Sequence, residues 1–460
     1  MKSREVRIRK IQVNALANRK KSYTVRWVVA GQPRSRTFSA RALADHFRSD
    51  LMQAANRGEA FDVESGLPES MIVEQSAESW LEFVRRYVDM KWPGAAAKSR
   101  ESMTDALATV TPVLVRELPG RPSMLVLRRA LREYEFPPAC RQLPRPPEVA
   151  AALRWLAKAS LPLPDLAKAA VVRPALDALQ LRLDGRPASA ATVRRKRAVF
   201  YNVLQYAVEL ELLAFNPIDR LRVNSTRRKV TREVDRRVVV NVRQARELLT
   251  AVTYVGRRGK ESRRGERLRA FFACLYFAAL RPAEALALCE SDCYLPRSGW
   301  GMLTVRASRP SAGKRYTDSG EVHDQRGLKH RAEKEARYVP IPPELVAILR
   351  EHIERFGVAD DGRLFRSPTG KVVSASTYSR VWDEARLLGL PPERVASPLA
   401  ARPYDLRHAG VSLWLNAGVP APEVAERAGH SVDVLLSVYA KCIDGDRDAM
   451  NKRIEAALAA

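Results

Sequence analysis

The chain has 460 residues, 46% hydrophobic and 28% charged, with 79 Lys plus Arg against 52 Asp plus Glu and a formal net charge of +27. That length predicts two to four domains rather than one core, and the charge excludes a surface built for cationic partners and favours a polyanion, above all nucleic acid. Arginine outnumbers lysine 62 to 17, a bias that a GC-rich coding sequence shares with a phosphate-binding surface, where guanidinium makes the bidentate contact that ammonium cannot. The five scattered cysteines lack the partners of a zinc site and read as reduced thiols. No Gly-rich phosphate loop or other cofactor motif stands out. With no apolar leader or membrane-length run, a soluble, cytoplasmic, nucleoid-associated protein is expected.

Residues 1–62 read as strands "VRIRKIQV" and "SYTVRWVVA", a turn at "GQPR", and a helix capped by Ser39 that carries Leu43, Phe47 and Leu51. Arg7, Arg9, Lys10, Lys20, Lys21, Arg34 and Arg36 lie on or beside those strands, and a small sheet with one free basic face can enter a DNA groove. Residues 70–222 read as mostly helical, closing with a long helix before "FNP" that carries Arg194, Arg195, Lys196 and Arg197. Residues 223–237 read as a basic linker with Arg227, Arg228 and Lys229. Across Arg220–Arg237 eight of eighteen residues are basic, which suits tracking phosphates as well as a solvated connector. In 238–460, Asn241 and Gln244 form a capping-box pattern. Helices are predicted near 242–253, over 266–288 and from 374 onward, with strands near 302–307 and 337–341.

Three motifs in this last segment carry the chemistry. "FAALRPAEALAL" holds Arg281 and Glu284; "YDLRHAGVSLWLNAG" holds Tyr404, Arg407 and His408; "AGHSVDVLLSVY" holds His430 and, nine residues on, Tyr439. Singly, each is as consistent with a helix salt bridge or a core aromatic as with a site. In this order and spacing they resemble the tyrosine recombinase (phage integrase) family, closest in layout to integrases of actinobacterial phages and integrative elements.

The resemblance implies a multidomain fold: a small N-terminal β-sheet-plus-helix arm-binding domain (1–62), an all-α core-binding domain (70–222) and an α-rich α+β catalytic domain (238–460). It implies a site-specific integrase that cleaves and rejoins double-stranded DNA through a 3′-phosphotyrosyl link and a Holliday junction, without metal, ATP or cofactor. Tyr439 would be the nucleophile, and Arg281 and Arg407 the clamp on the non-bridging oxygens. His430 would bond the phosphate and Glu284 orient the site. Lys329, with Lys334 as rival, would protonate the leaving oxygen. Partners implied are core and arm attachment sites, a homotetramer on DNA, and an excisionase or DNA-bending factor. One departure stands out: the family usually has His three residues before the second Arg, and here that residue is Tyr404, which leaves the acceptor of the Tyr439 proton unassigned. His408 reads as structural. A type IB topoisomerase-like enzyme and a degenerate DNA-binding regulator are the alternatives. On one continuous helix His430 and Tyr439 would face opposite ways, so the chain is expected to bend between them or Tyr439 to serve another protomer. The terminal stripe Met450, Ile454 and Leu458 suits docking on a neighbour or packing back.

Overall fold

The computed structural model describes residues 2–15, 21–71, 78–221, 233–256, 263–328, 335–442 and 447–459. Its helices and small sheets form two units, residues 1–94 with 102–226, and residues 95–101 with 227–460.

In the first unit, β1 (Val6–Ile8) and β2 (Gln12–Ala15) both pair with β3 (Lys21–Val29), whose other edge takes β4 (Gln32–Phe38), all antiparallel. The alternation of β3 turns Val25, Trp27 and Val29 toward α1 (Arg41–Asn56), which buries Ala44, Phe47, Leu51 and Ala54. Leu43, predicted on that face, is 55% exposed, because the buried stripe follows i, i+3, i+7 from Ala44 rather than i, i+4 from Leu43. The cap is Ala40, without a side-chain bond, in place of Ser39. Arg34 and Arg36 pair with Trp27 and Val25 and so lie on the helix side of the sheet. Arg34 donates to the Val63 carbonyl at 2.7 Å and Arg36 stacks on Phe38 and Phe47. Arg7, opposite Val28, is on the free face.

A separate core gathers α2 (Trp80–Lys91), α3 (Ala97–Val110), α4 (Met124–Ala130), α5 (Pro147–Ala159), α6 (Ala169–Ala178) and α7 (Ala190–Glu209) around Trp80, Phe83, Leu107, Leu156 and Phe200. Helix α7 ends at Glu209; Asn216 and Pro217, expected to close it, instead start α8 (Pro217–Arg220), with Asn216 as the cap and Pro217 at the first position.

The second unit begins with α9 (Val242–Tyr254), whose capping box is Asn241 and Gln244, as read from sequence. Helix α10 (Glu266–Phe277) is apolar on every side after its charged first turn, and every residue from Ala270 to Phe277 is buried, so it forms the centre of this core. The helix predicted over 266–288 is broken after it. Ala279 takes a left-handed φ of 45° and Arg281 is extended before α11 (Pro282–Ala285). Pro282 is the cause, since it disfavours a helical residue before it and donates no backbone hydrogen bond.

Strands β5 (Cys293–Tyr294), β6 (Gly301–Val305), β7 (Ala307–Ser308), β8 (Arg326–Gly327) and β9 (Arg337–Ile341) follow. They form a sheet in the order β9-β6-β5 and a ribbon of β7 with β8. Then come α12 (Pro343–Phe356), α13 (Ala375–Gly389), α14 (Asp405–Asn416), α15 (Ala421–Ala428), α16 (Val432–Tyr439) and α17 (Arg447–Leu458). Helix α14 lies hard against α10: a Cβ on Gly410 would collide with the Tyr276 carbonyl. Ile454 and Leu458 on α17 are exposed, so they do not pack back on the unit.

Candidate active site

The predicted residues of the second unit converge where the ends of α10, α15 and α16 meet the first turn of α14. Arg407, fully buried, donates to the carbonyls of Ala279 and Ala428 and, at 2.9 Å, to His430 Nε2. The left-handed turn at Ala279 is what presents one of those carbonyls. Arginine only donates, so His430 Nε2 is the acceptor and its proton sits on Nδ1, buried and without a protein partner. Arg281 donates at 2.6 Å to Glu284 Oε1 and at 2.8 Å to the Gly429 carbonyl. Tyr404 lies close enough to Arg281 to interact with it electrostatically.

Glu284, expected to orient the site, is not confined to Arg281. It also binds Arg337 through both oxygens, at 3.1 and 2.7 Å. Arg337 is a member of this site that the sequence reading missed; its one signal was a basic residue on the buried face of an otherwise apolar strand. Three guanidiniums, Arg281, Arg337 and Arg407, surround the one carboxylate of Glu284, leaving a net charge of +2 in the cluster. Burial alone would raise the Glu284 carboxyl, but Arg337, then Arg407 and Arg281, bring it down to about 2. Burial first, then the same arginines, pushes the His430 imidazole down to about 3, so it is neutral near pH 7.

Gly429 ends α15 with a left-handed φ of 65°, and Ser431 caps α16 by accepting from the Val434 amide. The bend therefore comes just before His430, which belongs to the turn ahead of α16. This lets His430 and Tyr439 converge within one chain, with ring centroids 6.2 Å apart. Gly429 is also required for space, because a Cβ there would strike the Arg337 guanidinium. Tyr439 is fully buried among Val234, Ala279, Val411, Ala428 and Leu435. Its hydroxyl lies 2.9 Å from His408 Nδ1. Burial raises its pKa above the usual phenol range, with Arg407 and Arg281 opposing. His408, read as structural, thus touches the hydroxyl directly, while Tyr404 meets the His408 ring edge-on at 5.1 Å. The half-buried Arg281, Tyr404 and His430 form the accessible side of the cluster.

Lys329, Lys334, Arg227, Arg228 and Lys229 lie outside the described residues. On α7, Arg194, Arg195 and Arg197 are exposed. Lys196 is not a free cation: its ammonium lies 2.8 Å from Asp105 and donates to Thr109. Among the described residues no group of three or more His, Cys, Asp or Glu is placed to hold a metal ion, and no helix is long and apolar enough to cross a membrane.

No family model matches the chain. Over 203 residues it is 24% identical to the tyrosine recombinase XerC-like protein of Caldanaerobacter subterraneus subsp. tengcongensis. That alignment covers 40% of this chain and 48% of the other, so the chain spans about half the length of the curated relative it matches. Similar solved structures include a lambda integrase dimer bound to a COC′ core site, with 14% identity and a TM-score of 0.49 over 95% of this chain and 96% of that one. The Tn1549 transposon integrase in complex with a circular intermediate DNA has 15% identity and a TM-score of 0.45 over 69% and 95%. In sequence the chain is thus similar to a tyrosine recombinase over part of its length, with Arg281, Arg407, Gly429-His430 and Tyr439 in the order on which the resemblance rests.

Proposed function

We propose that the chain is a site-specific DNA recombinase that breaks and rejoins DNA through a covalent link to Tyr439. The observation that carries this reading is the Tyr439 hydroxyl, bonded to His408 and in the field of Arg407 and Arg281, two members of a three-arginine cluster with a net charge of +2. A core aromatic needs no such surroundings, whereas a nucleophile facing a phosphodiester does. The phosphate enters on the side of Arg281, Tyr404 and His430. Arg281 and the Nδ1–H of His430 bind its non-bridging oxygens, and Arg407 holds His430 in place and adds charge. Arg337 and Glu284 keep the Arg281 fork oriented. These cations take the electrostatic role that divalent ions have in other phosphoryl transfers.

Attack gives a 3′-phosphotyrosyl link and a free 5′-hydroxyl. The phosphoester is conserved, so religation to a second duplex needs no nucleotide. Lys329, or Lys334, protonates the leaving oxygen. Exposed Arg194, Arg195 and Arg197, the segment around Arg227, Arg228 and Lys229, and the free face of the N-terminal sheet supply backbone contacts to core and arm sites. The biological reading is integration and excision of a mobile element by a homotetramer through a Holliday junction, with an excisionase or DNA-bending factor as accessory.

The test is covalent capture. Wild type and Tyr439→Phe are incubated with nicked duplexes tiled across the DNA flanking the gene, then denatured in SDS. An adduct formed by wild type and absent from the variant supports the reading. Specific binding with no adduct from either protein identifies a DNA-binding regulator, and supercoil relaxation without site pairing identifies a topoisomerase.

A further inference from the structure

The position from which a histidine would take the nucleophile's proton holds Tyr404, and a neutral phenol is a poor proton acceptor near pH 7. On the recombinase reading above, we infer that His408 is the general base for Tyr439, its Nδ1 accepting the phenolic proton as the tyrosine oxygen bonds to phosphorus.

Geometry carries this assignment. Nδ1 and the Tyr439 oxygen are 2.9 Å apart, within the reach required of a general base. His408 lies in the first turn of α14, one residue after Arg407, and α14 is fixed against α10 at Gly410. Tyr439 is the last residue of α16 and is wholly buried. The edge of Tyr404 against the imidazole and the tilted Tyr439 ring at 5.6 Å hold the histidine from two sides. A buried hydroxyl whose hydrogen-bond partner among the described residues is His408 Nδ1 donates to it, because an unused O–H costs more than an unused lone pair. Nδ1 is then the bare nitrogen of a neutral imidazole. Burial keeps it neutral, pushing His408 down to about 4. Its charged and titratable surroundings are Arg402, Tyr404, Asp405 and Arg407 from α14 and the loop before it, and Tyr439 from α16. His430, Arg281 and Cys442 lie around Tyr439 itself. Asp405 favours the imidazolium and the two arginines of α14 and its loop oppose it. An arriving phosphodiester adds the negative charge that shifts this balance toward protonation.

In the step itself the Tyr439 oxygen–phosphorus bond forms and the phosphorus–O5′ bond breaks. The phenolic proton passes to His408 Nδ1, and O5′ takes a proton from the lysine general acid. Religation runs in reverse, His408 returning its proton to the tyrosine oxygen.

The experiment uses the full chain and two duplexes carrying the core site, one ordinary and one with sulfur replacing the scissile 5′-bridging oxygen. A thiolate leaves without a proton, so the second duplex reports on the nucleophile alone. His408→Gln keeps an acceptor for the Tyr439 hydrogen bond but takes up no proton; His408→Ala keeps neither. Both variants are expected to bind DNA like wild type and to cleave both duplexes about 10²-fold or more slowly, with added imidazole restoring part of the His408→Ala rate. Wild-type cleavage of the sulfur duplex rises with pH and levels off at one titration that both variants lack. Wild-type rates in His408→Gln overturn the proposal, leaving His408 a positioning residue, as does restoration of His408→Ala by sulfur, which would put its action at the leaving group. A wild-type protein that forms no Tyr439-dependent adduct on either duplex overturns the recombinase reading itself, an outcome separate from both.

Discussion

Glu284→Gln removes the one negative charge on which two buried guanidiniums and the half-buried Arg281 depend. Arg337 is the most exposed to the loss in energetic terms, since its side chain is 1% accessible and both of its bonds in this cluster end on Glu284. Breaking such a pair from one side costs about 3–5 kcal/mol, because it strands a buried charge. The acidity of the carboxyl agrees: the fall from an ordinary 4.5 to about 2 corresponds to about 3 kcal/mol. For a unit of this size that is a loss of about 6–20 °C in its melting temperature. The sign of the pH dependence follows from a lowered folded-state value. The contribution is complete above the unfolded value of about 4.5 and is lost as pH falls through about 2. Wild type should therefore exceed Glu284→Gln by a constant margin above about pH 5, narrowing below it. Thermal unfolding followed by circular dichroism from pH 3 to 8 measures the margin, and a double-mutant cycle with Arg337→Gln isolates the pair. A loss below about 1 kcal/mol at pH 7, or a margin that does not shrink in acid, would refute the account of Glu284 as the charge that holds this cluster together.

Gly410→Ala should cost about 1–3 kcal/mol, because the added methyl group meets the Tyr276 carbonyl and forces α14 off α10; an unchanged melting temperature would show that the helices separate freely. Replacing Arg194, Arg195 and Arg197 together with Ala should weaken DNA binding and reduce the slope of log K against log salt by about 2–3, as read from titrations at several salt concentrations. Lys196→Ala should do the opposite, sparing that slope while lowering stability by about 1 kcal/mol through the lost Asp105 contact. Equal salt effects from both would place Lys196 on the DNA after all.

What was legible in the sequence is what short-range chemistry dictates. Asn241 caps α9 because a side-chain oxygen three residues from an amide needs no tertiary help. Arg281, Arg407, His430 and Tyr439, which meet in the cluster, were visible as residue types at fixed spacings. The break after Phe277 was also signalled, by Pro282, and was missed because the apolar run on either side outweighed it in the reading. Leu43 was misplaced because one apolar period was chosen over another of equal sequence support, and only packing on β3 separates them.

Arg337 and His408 differ in kind from these. Nothing in "EARYVPIP" says that its arginine meets a carboxylate 53 residues earlier, and nothing in "LRHAG" says that its histidine meets a hydroxyl 31 residues later. The sequence alone determined the charge that suits a polyanion, the helix caps and the order of the chemical groups, since those depend on composition and on neighbours within one turn. The tertiary structure alone decided which cation owns Glu284 and which nitrogen faces Tyr439. Those pairings arise where α10, α14, α15 and α16 end against one another, and such contacts depend on how whole elements pack rather than on any local pattern.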